Sequence, residues 1–324
     1  MVKHSRRTAL MASGALLADL AGLAGCATDA PQGAPTVTPG RPLHWRSLQG
    51  GFLAPTLPGP GQAPRMASGM FMRWVRPGPL ALWGNELLVA DLATARLWRA
   101  DTAGNAVTGI AGAPVGPGMA LALGPDLSAW VLDAVSRQVL RFARDGRLLQ
   151  THRIGTALPS PVALALADGG ATLLLADGLG AQWSEQRGPA GLVHHVAPEQ
   201  ANGLRISGVD ALAVAGDHIC VLDRLQGVVH RVSRQGQVLQ TLGRGELLQP
   251  VALAVDRLGR VVVHDAQDHS LKRLRSGGPA LRWTAADLGV QQIGDLAIDG
   301  TMLAVSDALA GQVVLHSMAH DSAP

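Results

Sequence analysis

Gln249-Pro250-Val251-Ala252-Leu253-Ala254-Val255-Asp256-Arg257-Leu258-Gly259-Arg260-Val261-Val262-Val263-His264-Asp265 carries the pattern that decides the fold. Pro250 opens a short apolar run. Asp256 to Gly259 is turn chemistry, and a second apolar run closes on Asp265. Apolar runs of this length between turn signals read as two strands joined by a hairpin. A short loop then leads to a third run, Ser270-Leu271-Lys272-Arg273-Leu274, and a fourth follows a Gly turn.

The same unit recurs along the chain. Its first run appears as Met119-Ala120-Leu121-Ala122-Leu123, Val162-Ala163-Leu164-Ala165-Leu166, Asp210-Ala211-Leu212-Ala213-Val214 and Val251-Ala252-Leu253-Ala254-Val255. Shorter versions are Leu80-Ala81-Leu82 and Leu296-Ala297-Ile298. Each second run closes on an acid: Asp91, Asp133, Asp177, Asp223, Asp265 and Asp307, at spacings of 42, 44, 46, 42 and 42 residues. One four-stranded sheet of this size cannot bury both faces alone. Six stacked around an axis can, and a ring leaves only short edges. The expected fold is therefore all-β, a six-bladed β-propeller over residues 66–318.

The fifth unit resembles the repeat of the NHL family. Pro250, Ala254, Asp256, Gly259, Asp265 and His269 match its pattern, whereas Ala252, His264, Asp268 and Ser270 depart from it. The other units keep the apolar skeleton and the acid. The resemblance implies the propeller and no particular activity.

The sixth unit lacks a fourth strand, since few residues follow 312–318. An N-terminal strand is expected to close the ring, with Met66 to Val75 pairing against Gln312 to Ser317.

Residues 1–25 read as a lipoprotein signal peptide. Lys3, Arg6 and Arg7 precede a mostly apolar run that is short for a membrane span. Leu23-Ala24-Gly25-Cys26 resembles a lipobox, with Cys26 the lipidated residue. Ser5-Arg6-Arg7-Thr8-Ala9-Leu10 also looks like a twin-arginine signal, and Tat and Sec export both stay open. Ala27 after the lipidated cysteine points to the periplasm and the inner leaflet of the outer membrane. Residues 26–65, rich in Pro, Gly and Ala, read as a flexible tether in which part of 43–53 can pack on the domain. Residues 319–324 form a tail.

Composition narrows the function. The chain of 324 residues carries a formal charge of +3, most of it in the signal. Without residues 1–25 the charge is near +1, so no nucleic-acid partner is expected. Cys220, in an apolar run, reads as a small buried hydrophobe.

The repeated Asp residues read as structural, each accepting backbone N–H bonds from the loop that follows. His264, Asp265, Asp268 and His269 are close in sequence but diverge in direction. His194-His195 sits on an outer strand, where neighbours face opposite sides. Asp210 and Asp295 are the candidate channel-mouth site. They stand where two units enter the innermost strand, and two carboxylates there can hold a cation, calcium before zinc. The alternative is that each caps its own turn. No catalytic residue is nominated and no cofactor is expected, because nucleophile-elbow, zincin and Cys-x-x-Cys motifs are missing. The favoured function is a non-catalytic binding or scaffold protein for a protein, peptide or glycan of the envelope. The alternative is a cation-dependent hydrolase or lyase at the channel mouth. An apolar or Arg-studded mouth would favour the first, and three or more convergent oxygen or imidazole ligands the second.

Overall fold

The computed structural model describes residues 41–55, 69–179, 181–187, 193–196, 206–256 and 258–318. Cys26 and the signal lie outside them. Six sheets, antiparallel but for one pair in the first, follow one another along the chain and close into a ring. Their innermost strands are Pro77–Trp83, Ala120–Leu123, Pro161–Ala167, Ala211–Ala215, Pro250–Val255 and Ile293–Asp299. These begin blades one to six. The apolar runs predicted for the first strands all fall here. Beyond a single 3-10 turn at Asp168–Gly170, no helix occurs among the described residues.

Alternation of side chains lets each sheet bury both faces against its neighbours. Six apolar clusters result, one at each junction between consecutive blades. Phe142 fills the junction of blades one and two, and Trp183 that of three and four. Cys220 is fully buried between blades four and five, as expected of a small hydrophobe, and burial raises its thiol pKa.

Polar latches cross several of the same junctions. Arg144 of blade two reaches Glu86 of blade one, which also holds the buried Arg99 at 3.1 Å. Arg234 of blade four meets Asp168 of blade three at 2.8 Å. Arg231 donates to the Gly259 carbonyl of blade five.

Closure corrects the sequence reading. Leu43–Leu48, inside the segment read as tether, pairs antiparallel with Gln312–Ser317 and completes blade six. The segment Met66 to Val75 does not. Its described part supplies Phe71–Arg73, which pairs with Gly50–Leu53, and the latter lies parallel to Ala106–Ile110. Blade one thereby has six strands. The closing strand lies at the outside of its blade, so one buried anchor, Leu48, suffices and the rest stays largely exposed. Such a segment carries little apolar signal.

Candidate functional site

Each of the six repeat acids ends a second strand at the same end of the ring, here called the upper face. Asp307 accepts the N–H groups of Gln291 and Gln292 in the loop leading into its blade, and those of Leu309 and Ala310 in the turn that follows. Asp91 does the same with Val75, Arg76, Ala93 and Thr94. Asp177, Asp223 and Asp265 also bridge their lead-in loop and their turn. Asp133 is more exposed and serves its own turn through Ser136. In five blades the acid therefore staples two loops, and in blade two it holds one.

The turn has a fixed shape. Four residues after each acid the backbone is left-handed, at Ala95, Arg137, Ala181, Gly227, His269 and Gly311. The position two after the acid therefore sits at the crest, its side chain turned outward. In four blades that residue is aliphatic: Val135, Leu179 and Leu225 are each 78% exposed, and Leu309 is 68% exposed. Leu248, in the loop leading into blade five, adds a fifth exposed side chain on the same face. Folding normally hides such groups. The four form a crown, standing at equivalent points of their blades, one per turn.

Inside the crown lies the channel mouth, a cavity of about 790 Å³. Its wall includes Leu92, Met119, Val162 and Val251, with Arg76, Asp210, Gln292 and Asp295 among its polar groups. Below it, Leu80, Leu121, Leu164, Leu212, Leu253 and Leu296 line both this cavity and the one at the opposite end. Each pairs with the residue two before its blade's repeat acid, so the six are equivalent by register. They form an apolar collar.

That register corrects the Asp210 and Asp295 pair. Asp295 precedes the collar leucine directly, as Ala211 does, whereas Asp210 stands one residue earlier, level with Gly294. Asp295 accepts the Leu80 N–H of blade one at 2.9 Å. Asp210 accepts the Arg224 N–H of its own blade at 3.0 Å and faces the same residue's guanidinium at 3.4 Å. Both line the mouth, and each has a separate hydrogen-bond partner. Desolvation pushes the Asp295 carboxyl up to about 6, against the weaker pull of the Leu80 and Leu296 N–H groups.

The acids and imidazoles of blade five also part company. Lys272, a residue the sequence reading passed over, lies 2.7 Å from Asp265 and 2.9 Å from Asp268. His264 is buried, and desolvation lowers its pKa to about 4. His269 is exposed on the turn. His194 and His195 lie on the outer strand of blade three, opposite Glu185 and Ser184. Among the described residues, no three His, Cys, Asp or Glu side chains gather as a metal site would need.

The molecule is thus a six-bladed propeller whose channel mouth mixes aliphatic side chains with Arg76, Asp210, Gln292 and Asp295. It is similar to a Bacteroides thetaiotaomicron protein of unknown function, with 15% identity and a TM-score of 0.59 over 84% of this chain and 75% of that one. A virginiamycin B lyase from Staphylococcus aureus, in a catalytically inactive form with quinupristin, gives 11% identity and a TM-score of 0.54 over 77% and 85%. The Myceliophteria thermophila Cps50 (Swd1) propeller domain gives 10% and 0.55 over 76% and 97%. At these identities the likeness extends to the fold alone. No protein-family model matches the chain, and no curated protein does.

Proposed function

We propose that this chain is an NHL-like binding scaffold of the cell envelope, non-catalytic, whose upper face docks a protein or peptide. The crown of Val135, Leu179, Leu225 and Leu309 carries the reading. Four aliphatic side chains on a rigid turn geometry leave apolar area that only a complementary surface would cover. The mouth inside them gathers no three His, Cys, Asp or Glu side chains among the described residues, whereas a cation-dependent hydrolase or lyase calls for such a set. That alternative relied on Asp210 and Asp295 sharing a cation, and their separate hydrogen bonds weigh against such a pair.

The scaffold is held by a lipid on Cys26 in the inner leaflet of the outer membrane, facing the periplasm. The support is the lipobox and the residue after it. Leu179→Asp/Leu225→Asp tests the docking face. Both side chains are exposed, so the fold should survive. Wild-type chain immobilised on beads should retain a discrete set of envelope proteins that the double variant loses. Identical retention by both would remove the crown from the argument.

A further inference from the structure

A second exposed apolar patch lies away from the crown, on the N-terminal strands. The chain has three Phe, and Phe142 is buried. The other two, Phe52 and Phe71, stand exposed on blade one's added strands and stack edge-to-face, their centroids 5.3 Å apart. They are register partners, so they share one face of the sheet. Arg73, two residues beyond Phe71 and exposed, is on that face too. Met70 is 61% exposed beside them. Trp45, on the strand just before, is the one exposed Trp among the seven.

Charge adds a second observation. Residues 30–85 hold no Asp or Glu, in a chain with 24 acids; of their five Arg, Arg73 is on this face, whereas Arg41 meets Asp287, Arg46 the Thr102 and Ala103 carbonyls, and Arg76 the channel mouth. Aromatic and Met side chains beside arginine, with no acid near in sequence, make up the composition that settles at the headgroup level of an anionic bilayer. The distance to the lipid is also bounded. Cys26 lies 15 residues before Arg41, where the described chain begins. Such a linker spans at most about 50 Å. We infer that the Phe52, Met70, Phe71 and Arg73 face is a membrane-contact surface that lays the ring against an anionic phospholipid bilayer. The inference rests on the envelope-anchored reading above. One acyl-bearing site gives a tether, and an aromatic-basic face provides the second signal that firm seating on a membrane needs.

A chain beginning at Ala27 keeps every strand of the ring and has neither signal nor lipid. It should co-sediment with vesicles of phosphatidylethanolamine and phosphatidylglycerol, and less with phosphatidylcholine alone or at high salt. Phe52→Ser/Phe71→Ser should weaken binding to the mixed vesicles about tenfold or more, with the melting temperature little changed. Absence of vesicle binding, or equal binding by the variant, would overturn the inference. So would retention of the wild type, lost in the variant, by lipid-stripped envelope proteins in place of vesicles. Mass spectrometry of the exported protein separates the two readings. An N-terminus without acyl chains removes the anchor and leaves the vesicle result standing, whereas an acylated Cys26 with no vesicle binding removes only the contact surface.

Discussion

At the residue scale, the six acids look alike in sequence but bear different loads. Asp307 is fully buried and joins two loops through four backbone donors, while Asp133 holds only part of one turn. Asp307→Ala should cost about 3 kcal/mol and Asp133→Ala about 1 kcal/mol. Urea titrations of the two variants check the order, and equal losses would mean the lead-in loops need no staple. Burial works to raise the Asp91 and Asp265 pKa values. Backbone N–H groups outweigh it, joined at Asp265 by Lys272, and hold both below the ordinary 3.8. Their contribution to stability is present above that value and fades as pH falls further. Asp295 has the opposite sign. Its raised pKa means the folded state prefers the proton, so its share of stability is present below about 3.8 and lost as pH rises through about 6. Asp295→Asn keeps an acceptor for Leu80 N–H and sheds the buried charge. It should raise stability by about 1–2 kcal/mol at pH 7.5 and by almost nothing at pH 4, as melting curves at both values would show. Both channel carboxylates were visible in the sequence. Their one-residue offset was not, because it appears only when strands are aligned by the collar leucines and not by eye.

At the scale of the element, the turn and the closing strand show what pattern reading reaches. The turn was legible as turn chemistry after each acid. Its left-handed fifth residue was not, because only blades four and six place Gly there. A Cβ at Gly227 would meet the Leu247 carbonyl oxygen at 2.5 Å, and one at Gly311 would meet that of Trp74 at 2.8 Å, so those blades have no alternative. Ala95 adopts the same conformation with a Cβ, at φ 51°. Ala95→Gly should therefore raise the melting temperature, by about 1 kcal/mol in stability at most, offset by the entropy of the unfolded chain. A lower melting temperature would mean that the turn geometry carries no strain. The closing strand escaped detection for a different reason. Met66 to Val75 is richer in large apolar residues, and apolarity was the only criterion available. Closure instead uses Leu48 plus the Arg46 guanidinium, which donates to the Thr102 and Ala103 carbonyls of blade one at 3.0 Å each. Deleting residues 41–48 should expose the edge of Gln312–Ser317 and unseat the junction of blades six and one. Circular dichroism should show a broad, early melt. A sharp transition at the wild-type temperature would show that blade six closes the ring without it.

Taken as a whole molecule, the ring was legible because a period near 43 residues survives any local substitution, and each unit needs its neighbours to bury both faces. What the ring binds was less legible. The crown residues recur two after the acid and were in plain view, but an exposed leucine and a buried one look the same in sequence. Only the turn geometry turns them outward. That arrangement makes a further prediction about docking. A partner seated on the crown covers the mouth and with it Asp295, taking from that carboxyl the solvent it still has. Desolvation favours the neutral form, so docking should draw a proton onto Asp295 and strengthen as pH falls through about 6. Asp210 faces the Arg224 guanidinium at the rim. The partner recovered from the envelope should therefore bind more tightly at pH 5.5 than at pH 7.5. Asp295→Asn should bind at both values as the wild type does at the lower one, and Asp210→Asn should keep the dependence. Calorimetry in two buffers of different ionisation enthalpy counts the protons taken up. Uptake near zero at pH 6, with tight binding retained, would place the partner on the crown but clear of the mouth.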